Sequence, residues 1–105
     1  MILITGTIEV LDRDRDAFLE LAERQVRLSR EEEGCLDYSC GEDTLRPGVF
    51  TFIERWKNQA AVDVHFSQAY CRDFISSAVL LAQNDVLIEL LHADRVEQRE
   101  IPKPA

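Results

Sequence analysis

What most constrains the fold is the spacing of the apolar residues, which switches along the chain between the period of a strand and that of a helix. Ile2, Ile4, Ile8 and Val10 fall on one side at period two, with Thr5, Thr7 and Glu9 on the other, so residues 2–10 are predicted to form a strand. From Asp12 the pattern changes. Asp12, Asp14 and Asp16 supply N-cap and first-turn acids, which suit the positive end of a helix dipole. Phe18, Leu21, Ala22, Gln25 and Leu28 then recur at helical spacing, carrying a helix to about Glu33. Gly34 is expected as the C′ residue, because a residue without a Cβ takes the left-handed conformation cheaply.

Beyond Gly34, Leu36, Tyr38 and Cys40 alternate with Asp37 and Ser39, which predicts a strand over Cys35–Glu42. Turn residues from Asp43 to Gly48 break it, and Val49–Trp56 follows as a third strand, antiparallel to the second. Gln59–Phe66 reads as a short helix, and a longer one from about Ser67 places Tyr70, Phe74, Ala78 and Leu81 on one face. Val86–Val96 alternates again as a fourth strand. The order β-α-β-β-α-β predicts an α+β, ferredoxin-like fold: a four-stranded antiparallel sheet with the helices on one face. At 105 residues and 46% apolar content the chain suffices for one domain, expected over residues 1–100, with 101–105 a short tail. The third and fourth strands are apolar on both faces while the helices cover only one, so a homodimer of apposed sheets is expected.

A net charge of −8 and a pI near 4.7, with the basic residues scattered among acids, argue against nucleic acid and membranes as partners. Cys35, Cys40 and Cys71 form neither a CxxC pair nor a zinc-type spacing, and are read as reduced thiols of a cytoplasmic protein. The N-terminus MILITGTIEV lacks the features of a signal peptide, and no apolar run approaches the roughly 20 residues that span a bilayer. The two histidines lie far apart, so no metal site is expected. Without a GxGxxG or a P-loop, nucleotide and flavin cofactors lack support.

One ordered set of fragments is more specific: E-x-G-C-L-x-Y at Glu32–Tyr38, P-x-x-F at Pro47–Phe50, E-x-W at Glu54–Trp56, then Ala61 and His65. It resembles the antibiotic biosynthesis monooxygenase domain, a family of dimeric ferredoxin-like α/β barrels. The resemblance implies a range of activities: cofactor-independent oxygenation of anthrones and quinols, haem degradation, or sugar-phosphate isomerase-like chemistry. The haem-degrading branch carries an asparagine in the first strand and a histidine along the long helix. Here the first strand has Thr5 and Thr7, and Tyr70–Gln83 holds no histidine, which disfavours haem.

Within EEGCLDY, Gly34 ends a helix and Tyr38 begins a strand face, so the stretch reads mainly as a joint. Cys35 follows a helix C-terminus, where the dipole disfavours a thiolate. His65 is the candidate catalytic base, since imidazole exchanges protons near neutral pH. Its other reading is a structural histidine, hydrogen-bonded through Glu54. Tyr38, Trp56, Tyr70 and Phe74 are the candidate substrate-binding residues, suited to stack on a flat aromatic ring. Core packing would use the same side chains, above all Trp56. Phe50, Phe52 and Phe66 read as wall or core. Arg55 and Arg72 are candidates to hold an anion, and His92 reads as structural. The expected function is cofactor-independent monooxygenation of a small aromatic molecule of the anthrone, quinol or polyphenol type. The alternatives are a non-catalytic metabolite-binding or stress-related dimer, and an isomerase or lyase using His65 as general base.

Overall fold

A computed structural model describes all residues, 1–105. Its elements are β1 (Ile2–Glu9), a single 3-10 turn (Asp12–Asp14), α1 (Arg15–Arg30), β2 (Cys35–Glu42), β3 (Val49–Trp56), α2 (Gln59–Ser67), α3 (Ala69–Leu81) and β4 (Ile88–His92). The strands form one antiparallel sheet in the order β2-β3-β1-β4, which is the ferredoxin-like topology expected from the order of elements. Residues directly opposite in such a ladder share a face. Ile2, Ile4 and Ile8 of β1 therefore meet Trp56, Glu54 and Phe50 of β3 on the side covered by the helices, where all six are buried. From α1, Phe18, Ala22, Gln25 and Ser29 turn inward at helical spacing, and the Phe18 ring packs 4.8 Å from Phe50. Asn58 caps α2, its side chain accepting the Ala61 N–H at 2.9 Å.

Three expectations need correction. α1 ends at Arg30 with Glu31 as its C-cap, so Gly34 lies beyond the helix end, and its φ is not positive. Gly34 is required for space instead: a Cβ there would lie 2.3 Å from the Cβ of Ala61, where the turn into β2 passes beneath the start of α2. The glycine with a left-handed backbone is Gly48, φ 84°, in the β2–β3 connection.

Leu36 does not share the inner face with Tyr38. A bulge between Cys35 and Asp37 leaves it outside the ladder and 49% exposed, while Cys35 stands opposite Trp56 and Tyr38 opposite Glu54.

β4 spans five residues, Ile88–His92, rather than Val86–Val96. Its register pairs Ile2 with His92, so the chain beyond Ala93 has run past the start of β1 and finds no strand beside it. The same register places Ile88, Leu90 and His92 on the helix side of the sheet. The helices do not extend over this edge, and all three remain exposed.

Candidate functional site

Under α3, between the layers, lies a cavity of about 220 Å³. Ile4, Ile8, Phe52, Phe66, Phe74 and Ala78 make most of its wall. Ile75, Val79, Val86 and Ile88 also line it and are partly exposed, so it opens between α3 and the β4 edge. Its polar side chains are few: Gln25, Tyr38, Glu54, His65 and Cys71.

These groups come from different elements. His65 occupies the last turn of α2 and is 1% exposed. Its Nδ1–H donates to Glu32 Oε2 at 2.7 Å, so the carboxylate assigns the ring proton to Nδ1 and leaves Nε2 as the acceptor. The Tyr70 hydroxyl donates to the same Glu32 oxygen. Nε2 lies 3.5 Å from Cys71 Sγ and 3.9 Å from Glu54 Oε1. Behind the imidazole stands the fully buried Trp56, ring centroids 4.4 Å apart, and its Nε1–H donates to Glu54 Oε1 at 2.9 Å. Gln25 donates from Nε2 to the Tyr38 hydroxyl at 3.3 Å and to Cys71 Sγ at 3.6 Å. Glu32 Oε1 and Gln25 Oε1 are buried without a partner.

Burial sets the electrostatics. It pushes the Glu54 carboxyl up to about 7, with Glu32 adding to the rise and hydrogen bonds from Trp56 and Tyr38 opposing it. The same desolvation raises the Tyr38 and Tyr70 phenols well above their ordinary range, so both stay protonated donors. Cys71 is raised to about 11 by burial, the Gln25 hydrogen bond acting against it. Cys35 and Cys40, half-buried on β2, are raised to about 11 and about 12, again chiefly by burial.

The residues singled out from sequence thus divide. Tyr38, His65 and Phe74 line the cavity. Trp56 and Tyr70 do not, but each holds a carboxylate, Glu54 and Glu32 respectively, that flanks His65. Arg55 lies on the open face of the sheet against Met1 Sδ, and Arg72 is exposed on α3; neither reaches the cavity. Sequence reasoning passed over Glu32, Gln25 and Cys71, and took Glu54 only as a possible prop for His65. The available signal was Gln25 and Ser29, two polar residues within the otherwise apolar stripe of α1.

Fold and cavity together define a ferredoxin-like α+β domain with a small-molecule pocket between its layers. The chain belongs to the antibiotic biosynthesis monooxygenase family, which it matches over residues 1–77. It is 33% identical to YcnE of Bacillus subtilis, a protein provisionally named a monooxygenase, over 83% of this chain and 94% of that one. It is also 35% identical to an uncharacterized protein of Synechocystis over 73% of this chain, and spans about half of that protein, 52% of its length. Among solved structures, a Deinococcus radiodurans protein provisionally named an antibiotic biosynthesis monooxygenase superposes with a TM-score of 0.89. That pair is 25% identical, with 95% of this chain and 99% of the other covered. No helix is long and apolar enough to cross a membrane.

Proposed function

We propose that this protein is a cofactor-independent monooxygenase of small aromatic quinols. The observation that carries the reading is the cavity, apolar along its walls and ending at His65 and Glu54. Its volume of about 220 Å³ is below the roughly 300–1,000 Å³ usual for drug-sized ligands, which favours a one- or two-ring substrate over a three-ring anthrone. The monooxygenase name carried by YcnE supports the same class of reaction.

An electron-rich quinol can reduce dioxygen once it is deprotonated. His65 Nε2 takes a phenolic proton, and Glu32 steadies the imidazolium through Nδ1–H. The Tyr38 hydroxyl, kept protonated by burial, turns its single O–H from Glu54 to the anionic oxygen, and the apolar wall excludes water. One electron passes to dioxygen, and superoxide and semiquinone combine at a ring carbon. The hydroperoxide then loses water to leave a hydroxyquinone. Dioxygen takes four electrons in all, two from hydroxylating a ring C–H and two from converting quinol to quinone.

Oxygen uptake with a panel of benzene- and naphthalene-diols tests this. Uptake is expected with at least one, falling about 10²-fold per folded protein in His65→Ala. No uptake across the panel, or equal uptake by folded His65→Ala, refutes the assignment.

Two further readings accompany this one. The open sheet face presents Ile53 and Leu91, 44% and 48% exposed, which supports a homodimer that covers it. The three free thiols fit a reducing cytoplasm.

A further inference from the structure

Cys71 belongs to a more organised arrangement than its solitary place in the sequence suggests. It lines the cavity with only 1% of its surface exposed, and its Sγ lies 3.5 Å from His65 Nε2. The opposite ring nitrogen donates to Glu32 at 2.7 Å. Thiol, imidazole and carboxylate therefore stand in series: a nucleophile, the base that can take its proton, and the group that orients the base. Cys71 is also the third residue of α3, a helix of 13 residues, and so lies where the helix dipole favours negative charge on sulfur. At rest it is a thiol rather than a thiolate, since burial and the nearby Glu54 and Glu32 hold its pKa at about 11. Reaction must therefore transfer the proton to His65 as the sulfur attacks.

A second feature points to a ligand. Gln25 is 2% exposed, lines the same cavity and donates to Cys71 and Tyr38, yet its Oε1 has no partner. A buried acceptor left in this state loses its hydrogen bond to water without gaining another. A ligand hydroxyl between Tyr38 and Cys71 would satisfy it.

We propose that Cys71, His65 and Glu32 form a covalent site for planar, electrophilic quinones, Cys71 adding to the ring by conjugate addition. His65 Nε2 takes the thiol proton as sulfur bonds to the β-carbon. The C=C electron pair moves toward the carbonyl oxygen, which Tyr38 holds. The proton on His65 and the one displaced from the ring carbon end on the two oxygens, giving an aromatic diol thioether. Nothing leaves and no oxidant is consumed. The new hydroxyl donates to Gln25 Oε1. The choice of quinones as ligand class rests on the proposed quinol chemistry, because a quinone is its product; the addition itself needs neither dioxygen nor turnover.

The experiment is anaerobic labelling of the intact protein with 1,4-naphthoquinone, followed by mass spectrometry and peptide mapping. One adduct per chain is expected, on Cys71, ahead of the more exposed Cys35 and Cys40. Glu32→Gln, which preserves shape, should slow Cys71 labelling about tenfold, and His65→Ala about 10²-fold. Iodoacetamide labelling of Cys35 and Cys40 monitors the fold in each variant. Labelling confined to Cys35 and Cys40, or a Cys71 rate unchanged in Glu32→Gln with the iodoacetamide rates intact, overturns the proposal. Because no oxygen is present, either result is independent of whether quinol oxygenation occurs.

Discussion

Glu54→Gln removes the charge from a carboxyl whose burial costs stability at neutral pH. In the native protein the carboxyl titrates at about 7 instead of 4.5, because it is buried beneath Trp56 and His65 with Glu32 nearby. Between those two values the folded chain keeps a proton that the unfolded chain has released. The resulting stabilisation is complete below about pH 4.5 and is lost as pH rises through about 7. At 1.36 kcal/mol per unit, the wild type should lose about 2.5 kcal/mol from this group between pH 5 and pH 8. Glutamine carries no charge and retains an oxygen for the Trp56 Nε1–H, so the variant should not show the loss. Urea unfolding of both proteins at the two pH values provides the assay. The variant should match the wild type at pH 5 within about 1 kcal/mol and exceed it by about 2 kcal/mol or more at pH 8. An identical pH dependence in the two proteins, or a wild type that gains stability over this range relative to the variant, would refute the reasoning.

Gly34→Ala should destabilise by about 1–3 kcal/mol through collision with Ala61, and Ala61→Gly in the same chain should recover at least half of that, as followed by thermal melting. Wild-type melting of the single variant would show that the contact is not tight. Sedimentation at micromolar concentration should show a dimer, and a folded monomer would remove the apposed-sheet arrangement.

Much of the fold was legible because local pattern and tertiary role agree. Ile2, Ile4, Ile8 and Val10 are buried at the period that announced β1, and Phe18 and Ala22 are buried at that of α1. Errors arose where a neighbour distant in sequence decides. Nothing near Gly34 reveals that Ala61 will lie above it, and nothing within Val86–Val96 reveals that β1 gives out opposite His92. The bulge at Leu36 is similar: it is set by how Cys35 and Tyr38 meet β3, not by the alternation of β2 itself. In the cavity, His65 stood out as a rare residue type, and the aromatic residues by size. Glu32 was one acid among many in the sequence, distinguished only by burial and by a partner 33 residues away. Cys71 likewise depends on the α2–α3 corner to bring it beside His65.

The turn between α1 and β2 serves several ends within very few residues. Glu32 supplies the carboxylate for His65, its backbone carbonyl receives the Cys35 N–H at 3.0 Å, and the Gly34 carbonyl receives the Lys57 N–H at 3.0 Å. The segment therefore cannot change length. One inserted residue would withdraw the carboxylate from the imidazole, or lift the glycine into Ala61, or slide Tyr38 off the inner face. The β2–β3 connection allows more variation at its tip, where Leu45 is 88% exposed. Loop grafting, epitope tags and circular permutation should succeed around Leu45, and between Arg30 and Cys35 should abolish the pocket even where the protein still folds.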